Sequence, residues 1–215
     1  MKPISEVFHG DCMAFMAGLP DGYFELAVVD PEFGIGIAKS PRLVLDKGLE
    51  GKDWDDKPID LKYFSELFRV SKNQIVWGGN YYPMPPCLHC IIWDKKQPES
   101  FSFGMFDFAW TSFSGSNKLF RKSVQAEANK IHPTQKPVAL YEWLLRNYAK
   151  PGDKILDTHL GSQSSRIAAY KLGFNFWGCE IDDDYIRDGN ARFEKEIAMP
   201  LFDAPIVPEQ TKLSL

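Results

Sequence analysis

Apolar runs alternate with helix-period segments along almost the whole chain. Runs typical of strands lie at residues 5–9, 24–29, 74–77, 89–93, 106–113, 154–157 and 176–181. Segments with apolar residues at a helical spacing lie at residues 12–19, 60–70, 138–149, 164–172 and 183–197. This strand–helix alternation predicts an α/β fold, doubly wound around a mostly parallel sheet.

Two segments and a tail interrupt the alternation. Residues 34–53 show little periodicity, which predicts a long lid or binding loop. Residues 95–130 are rich in phenylalanine and become polar and basic from residue 115, so we expect a small insert there. Residues 199–215 contain three prolines and predict an extended tail. We therefore predict a single domain over residues 1–198, because no repeat or second alternation is visible.

Composition narrows the class of protein. The 215 residues are 44% hydrophobic and 25% charged, with a formal net charge of −4, as in ordinary globular proteins. Any nucleic-acid binding must then come from local basic patches. No apolar run is long enough to span a membrane and no signal-peptide pattern begins the chain, so we expect a cytoplasmic protein. Cys87 and Cys90 have a metal-like spacing, but no second pair accompanies them, and we predict free thiols and no metal.

Acidic residues end three of the predicted strands. Asp30 follows the run 24–29, and the carboxyl ends of parallel strands are where ligands bind. Asp157 ends another strand, Gly161 lies in the following turn, and Glu180 ends the next strand after a helix. This is the layout of a nucleoside-binding unit, in which the second acidic side chain accepts hydrogen bonds from ribose hydroxyls.

Two motifs carry a resemblance to a known family. AspProGluPheGlyIleGly at residues 30–36 resembles the AspProProTyr signature of amino-group DNA methyltransferases. IleHisProThrGlnLysPro at 131–137, with AspThrHisLeuGlySer at 157–162, resembles their S-adenosylmethionine region. The catalytic motif comes first, as in the β arrangement typical of many N6-adenine and some N4-cytosine enzymes. The resemblance spans residues 6 to 195 and implies a seven-stranded S-adenosylmethionine-dependent methyltransferase sheet.

The resemblance assigns four catalytic residues, Asp30, Pro31, Glu32 and Phe33. The target amine is a poor nucleophile inside the base stack, so the base must be extruded and held. The Asp30 carboxylate would accept one amine hydrogen, and the carbonyl of Pro31 or Glu32 would accept the other. Phe33 would stack on the extruded base. Positioning and electrostatics would then suffice for methyl transfer, without a metal or a covalent intermediate.

The resemblance also implies a set of S-adenosylmethionine contacts. Residues 131–137, here called the strap, would close over the methionine end through His132, Thr134, Gln135 and Lys136. The lysine could pair with the methionine carboxylate. The remaining cofactor contacts would be Asp11, Cys12, Asp157, Gly161, Ser162 and Glu180, with the first two near the adenine ring and Glu180 on the ribose.

A DNA partner implies phosphate contacts. The basic candidates are Lys39, Arg42, Lys118, Arg121 and Lys122. Residues 95–130 would form the target-recognition region, and its short length predicts a simple target or a second subunit. Enzymes of this family often form dimers, which implies a possible homodimer here.

Glu32 and Gln163 depart from the family motifs. Glu32 replaces a second proline, which would fix φ and leave no N–H. Gln163 stands where related turns have glycine, and a positive φ there would cost roughly 1 kcal/mol. Its side chain could also enter the cofactor pocket. Restoring proline and glycine is expected to raise activity.

The leading hypothesis is a DNA methyltransferase acting on adenine N6, with cytosine N4 as a close variant. The two departures favour an alternative, a catalytically silent protein that binds DNA or cofactor. Methylation of RNA or protein amines is a third possibility, because the motif recognises the amino group rather than the polymer that carries it.

Overall fold

A computed structural model describes residues 2–39, 52–100, 104–123 and 130–198. Arg42 and the tail 199–215 lie outside these residues. The strands are β1 (Ser5–His9), β2 (Phe24–Val29), β3 (Ser71–Trp77), β4 (Cys90–Asp94), β5 (Phe106–Thr111), β6 (Lys118–Arg121), β7 (Lys154–Asp157) and β8 (Asn175–Glu180). The helices are α1 (Cys12–Ala17), α2 (Lys62–Val70), α3 (Val138–Tyr148), α4 (Ser164–Leu172) and α5 (Asp183–Ala198).

All the described strands form one sheet in the order β1-β8-β7-β2-β3-β5-β4-β6. Among them β5 alone is antiparallel to its neighbours, so the predicted mostly parallel α/β fold is confirmed. The sheet has eight strands rather than the expected seven. The additional strand is β6, in the segment predicted to be polar and basic, and a four-residue edge strand is too short to show an alternation.

Apolar side chains cover both faces of the sheet. β2 is buried along almost its full length because its alternate residues serve two different cores. Leu26 and Val28 pack with α3 and α4 on one face, whereas Ala27 and Val29 pack with α1 and α2 on the other. This two-sided packing fixes the carboxyl end of β2, where the candidate catalytic loop begins.

The predicted insert at 95–130 contributes to this scaffold. β5 and β6 both lie within it, and Ala109 of β5 is fully buried. The range therefore contains sheet strands as well as connecting loops. Its role in target recognition stays a prediction, as do the domain boundaries. Among the described residues, no helix is long and apolar enough to cross a membrane.

The end of α1 is held by a side chain from α2. The Arg69 guanidinium donates hydrogen bonds to the carbonyls of Met16 (2.8 Å) and Leu19 (2.7 Å). It also bonds to Glu66, which orients the planar group. The carbonyls at a helix end lack intrahelical donors, so this contact satisfies groups that water would otherwise have to reach.

We expect Arg69→Lys to lower the free energy of unfolding by about 2 kcal/mol, because an ammonium cannot reproduce the planar fork. Urea unfolding followed by circular dichroism measures the change. Arg146→Lys, at an exposed position in the last turn of α3, is the matched control and should change stability by less than about 0.5 kcal/mol. Equal effects of the two substitutions would contradict the assignment.

Candidate active site

The candidate site lies where β2, β7 and β8 end. These strands are neighbours and parallel, so the residues that follow them meet at one edge of the sheet. The catalytic loop, residues 30–36, follows β2. The cofactor turn, residues 158–163, follows β7 and leads into α4. The structure thus brings together the two motifs that lie more than 100 residues apart in the chain.

An ion pair joins the strap to the catalytic loop. Lys136 donates to Oδ2 of Asp30, and its ammonium lies 5.3 Å from the centre of the Trp77 ring. Lys136 is 5% exposed, so the pair is screened little by solvent. Lys136 is paired with Asp30 in this structure, and its contact with the methionine carboxylate stays a prediction. In the part of the chain that is described, the other oxygen, Oδ1, is buried and has no donor.

Tyr82 holds the backbone of the catalytic loop. Its hydroxyl donates to the carbonyl of Glu32 (2.7 Å) and lies 3.2 Å from the carbonyl of Pro31. The N–H of Ile59 also donates to the Glu32 carbonyl, at 3.2 Å. Both acceptor positions of the Glu32 carbonyl are therefore engaged, while the Pro31 carbonyl retains capacity. Burial, reinforced by Asp30 and Glu32, raises the pKa of Tyr82, so the hydroxyl keeps its proton.

Phe33 lies in an aromatic stack. One side of its ring packs against Gly78, where a Cβ atom would come within 2.1 Å of the ring. Gly78 has a φ of +66°, which also favours glycine. The ring of Tyr81 stacks on Phe33 with centroids 4.8 Å apart and planes 14° apart. Tyr81 is 52% exposed, so an exposed ring already occupies the kind of contact that a base would make with Phe33.

Glu32 reaches the cofactor turn. Its carboxylate lies 3.3 Å from Nε2 of His159, and both side chains are mostly buried. Burial by itself raises the pKa of Glu32, but the charge and hydrogen bond of His159 outweigh it and leave that pKa lowered. Burial likewise lowers the pKa of His159, yet the Glu32 charge raises it well above its ordinary value. The departure from proline therefore has a specific partner.

Gln163 also has specific partners. Its φ of +59° confirms the left-handed conformation that a glycine would adopt without strain. Its amide bonds to Arg166 (2.8 Å) and Asn190 (3.2 Å), and a Cβ atom on Gly189 would lie 2.6 Å from it. The expectation that this side chain enters the cofactor pocket is wrong, because it is fully buried between α4 and α5.

The strap, the cofactor turn and the end of β8 meet at Gly161. Its N–H donates to Glu180 at 2.7 Å, and the other Glu180 oxygen accepts from the N–H groups of Ile181 and Asp182. A Cβ atom on Gly161 would lie 3.2 Å from the His132 ring. A side chain at position 161 would press against the His132 ring, so glycine allows the cofactor turn to lie close to the strap.

Two aromatic residues outside the motifs, Trp54 and Tyr185, pack against His132 of the strap. The His132 ring lies 5.3 Å from Trp54 and 4.4 Å from Tyr185, measured between centroids. The Trp54 N–H donates to the Tyr185 hydroxyl at 3.2 Å. Sequence reasoning missed both residues, since neither belongs to a motif. The tryptophan at the end of a glycine- and lysine-rich loop was the one available signal.

The other predicted cofactor residues organise the loops. Thr134 bonds to the His132 ring, Gln135 accepts from the backbone of Ile131, and the Ser162 carbonyl accepts from Arg192. Asp157 accepts from Ser165 and from the backbone of His159, and burial raises its pKa to about 7. Asp11 caps α1 through the N–H of Ala14, and Cys12 contacts His159. Direct contacts with a cofactor stay a prediction for all of them.

The basic residues predicted to contact DNA phosphates lie in different parts of the fold. Arg121 and Lys122 lie at the carboxyl end of β6, on the same edge as the site, and Arg121 is paired with Asp94 at 2.7 Å. Lys118 lies at the other end of that strand. Lys39 is paired with Asp53 and Asp56 at 2.6 Å. β6 lies four strands from β2 in the sheet, whereas Lys39 closely follows the catalytic loop in the chain. Contact of these residues with phosphate stays a prediction.

These features fit a bound nucleoside cofactor carrying positive charge. The carboxylates of Asp30, Glu32, Asp157 and Glu180 converge on one edge, balanced within the site by Lys136 and His159. A glycine cradle and a helix N-terminus border the same space.

Comparison with known proteins decides the family. A profile described as DNA methylase matches residues 76–191, more than half of the chain. The chain belongs to the DNA methylase family. The match includes the strap, the cofactor turn and Glu180, and begins after the catalytic loop.

Individual relatives are distant. The type II methyltransferase M.BglII from Bacillus subtilis is 22% identical over 247 aligned positions, which cover 85% of this chain and 67% of that protein. The crystal structure of an M1.HpyAVI–SAM complex is 18% identical, with a TM-score of 0.59, over 87% of this chain and 98% of that one. The PvuII cytosine-N4-specific DNA methyltransferase is 14% identical, with a TM-score of 0.62, over 91% of each chain. The two structural likenesses show the fold.

Replacing Gln163 by glycine should destabilise the DNA methylase domain. The substitution relieves roughly 1 kcal/mol of backbone strain. It removes two buried hydrogen bonds and leaves a void beside Gly189, at a cost of about 2 kcal/mol or more. We therefore expect the free energy of unfolding to fall by about 1 kcal/mol in a urea titration.

Lys96 offers a matched control, because it also has a positive φ, of +50°, and is exposed. Lys96→Gly relieves similar strain without losing a buried contact, so it should be neutral or stabilising. If Gln163→Gly were as favourable as Lys96→Gly, the contacts of Gln163 would not stabilise the fold.

Proposed function

We propose that this protein is an S-adenosylmethionine-dependent methyltransferase that acts on an exocyclic amino group in DNA, with adenine N6 as the first candidate. The observation that carries the proposal is the catalytic loop itself. In the part of the chain that is described, it presents a carboxylate oxygen of Asp30 that has no donor, next to the Pro31 carbonyl, which lies 3.2 Å from the Tyr82 hydroxyl. These are the two acceptors that an amine with two hydrogens requires.

We assign the cofactor to the space bordered by the strap and the cofactor turn. Glu180 and the backbone of Gly161 would hold the ribose side, and the carboxyl groups of Asp30 and Asp157 would lie toward the methionine end. When bound, S-adenosylmethionine supplies an electrophilic methyl group on a sulfonium. The M1.HpyAVI structure of similar fold is a complex with SAM, which supports this choice.

The chain's own residues then account for activation of the amine. Asp30 and the Pro31 carbonyl accept hydrogen bonds from its two N–H groups and make the nitrogen lone pair available for the new N–C bond. One of the two protons leaves the nitrogen as that bond forms, and the Asp30 carboxylate is the acceptor that faces it. Lys136 fixes the orientation of Asp30 through the other carboxylate oxygen. Phe33 provides the stacking face for an extruded base once Tyr81 moves aside. Fixed dipoles and charges in a partly buried site act strongly, because little reorganisation is needed during the reaction.

The geometry favours an active enzyme over a silent relative. Each departure from the family motifs is matched by a neighbour, Glu32 by His159 and Gln163 by the α4–α5 contact. Neither Glu32 nor Gln163 is therefore buried without a partner, which supports an intact site. DNA as the substrate polymer, a homodimer and a cytoplasmic location remain predictions, and light scattering of the purified protein tests the dimer.

Incubation with labelled S-adenosylmethionine and unmethylated DNA, followed by mass spectrometry of the nucleosides, tests the activity. We expect N6-methyladenine, while N4-methylcytosine would identify the alternative base. Asp30→Asn should reduce kcat by about 100-fold or more, because one acceptor becomes a donor. Asp183→Asn, at an exposed carboxylate of the same edge, is the control and should retain activity. Absence of cofactor binding in calorimetry at millimolar concentration would overturn the proposal.

Tyr82→Phe should lower kcat on the order of 10-fold while cofactor affinity stays unchanged, because the loop carbonyls lose their donor but the ring remains. Tyr81→Phe is the matched control, since the Tyr81 ring rather than its hydroxyl contacts Phe33. Equal kcat values for Tyr82→Phe and the wild type would show that the hydroxyl does not position the loop.

A further inference from the structure

Glu32 and His159 connect two loops that the mechanism must hold in register. Glu32 lies in the catalytic loop after β2, and His159 lies in the cofactor turn after β7. Their side-chain atoms are 3.3 Å apart, and the side chains are 25% and 14% exposed. No other described ion pair joins these two loops directly, since Lys136 reaches Asp30 from the strap.

We propose that Glu32 and His159 are positioning residues, an ion pair that replaces the stiffness of a proline and holds the catalytic loop against the cofactor turn. The proposal rests on the proposed methyl transfer, whose acceptors the pair would align. Glu32 is thereby assigned a role through His159 rather than a contact with the target base.

The imidazole is oriented from its other side. Its Nδ1 lies 2.9 Å from the Thr158 hydroxyl, which in turn lies 2.5 Å from the Tyr63 hydroxyl of α2. The Tyr63 ring also packs edge-on against the imidazole, with centroids 5.3 Å apart. This chain of contacts fixes the direction of Nε2 and hence the place at which Glu32 is held.

Titratable groups from several neighbouring elements lie near His159. These are Glu32 of the catalytic loop, Cys12 of α1, Tyr63 of α2 and Asp157 of β7, and Asp30 in turn acts on Asp157. Burial raises the pKa of Tyr63 well above its ordinary value and keeps it neutral. Asp157, with a pKa of about 7, gains negative charge as the pH rises and so favours the imidazolium further. Glu32 is the carboxylate within contact of Nε2.

The pair has a defined pH window. The folded-state pKa of His159 is raised, so its contribution is present below its unfolded pKa and is lost as the pH rises through the raised value. The folded-state pKa of Glu32 is lowered, so its contribution is lost as the pH falls through that value. Alignment of the loop should therefore be complete between the two pKa values.

The proposal reverses the expectation for Glu32→Pro. Restoring the family's proline leaves a buried imidazole without its carboxylate, and removing one partner of a buried pair is more harmful than replacing both. Glu32→Pro alone should therefore lower kcat on the order of 10-fold to 100-fold, and His159→Phe alone should do the same. Phenylalanine retains a ring against Tyr63 and has no charge to pair.

The double variant Glu32→Pro/His159→Phe should recover kcat to within about threefold of the wild type. We would measure kcat and KM for DNA and for S-adenosylmethionine in all four proteins. Loss confined to kcat in the single variants is expected of a positioning pair. Additive losses in the double variant, or an increase of kcat in Glu32→Pro alone, would overturn the proposal.

The pH profile provides a readout that a purely structural role would not change. In Glu32→Gln, which keeps the shape of the side chain but not its charge, kcat should fall because the ion pair is lost. Any remaining alkaline fall of kcat should lie at lower pH, because His159 loses the charge that raises its pKa. NMR titrations of His159 in the wild type and in Glu32→Gln should show a lower pKa of His159 in the variant. An unchanged titration would refute the pair.

Failure of the proposed function is distinguishable from failure of the pair. If the wild type transfers no methyl group, the NMR titration and the unfolding free energies of the four proteins still report the coupling. Coupling without transfer supports the ion pair and rejects the reaction, whereas transfer without coupling rejects the ion pair.

Discussion

The pairing of β2 with β7 is the constraint on which the site depends. Two parallel strands in the middle of the sheet place their following loops side by side, and both strands are buried by helices. Neither loop could leave this edge without breaking the register of the central strands. The acceptor pair at Asp30 and the turn at Gly161 are close for this reason, although the chain between them includes half the fold.

Charge balance is the second constraint. Carboxylates gathered at a buried edge repel one another and lose hydration, so the fold must supply cations or protons. Lys136 balances Asp30, His159 balances Glu32, and Asp157 is relieved by a pKa near 7. Each cation comes from a different loop than the carboxylate it balances, and the same ion pairs that offset the repulsion therefore align the loops.

The two departures from the family motifs illustrate how a local signal misleads. Glu32 and Gln163 each remove a residue suited to its backbone conformation, and the positive φ at Gln163 confirms that cost. Their compensations lie at His159 and in the α4–α5 contact, which are distant in sequence from the departures or unrelated to any motif. A motif reflects the local backbone preference of each position. The energetic effect of a buried polar side chain depends instead on the partner that it contacts in the folded chain.

The local sequence pattern was sufficient to predict the α/β class, the mostly parallel sheet and the loops that carry Asp30 and Gly161. Strand and helix periods, and the positions at which strands end, are encoded over short stretches of sequence. The local pattern could not reveal β6, whose four residues are stabilised by pairing with β4. It could not assign Lys136 to Asp30, Glu32 to His159 or Tyr82 to the loop carbonyls. Those contacts join residues that lie 50 or more positions apart in the chain. Only strand register and helix packing determine which of many possible partners a charged or hydroxyl group reaches.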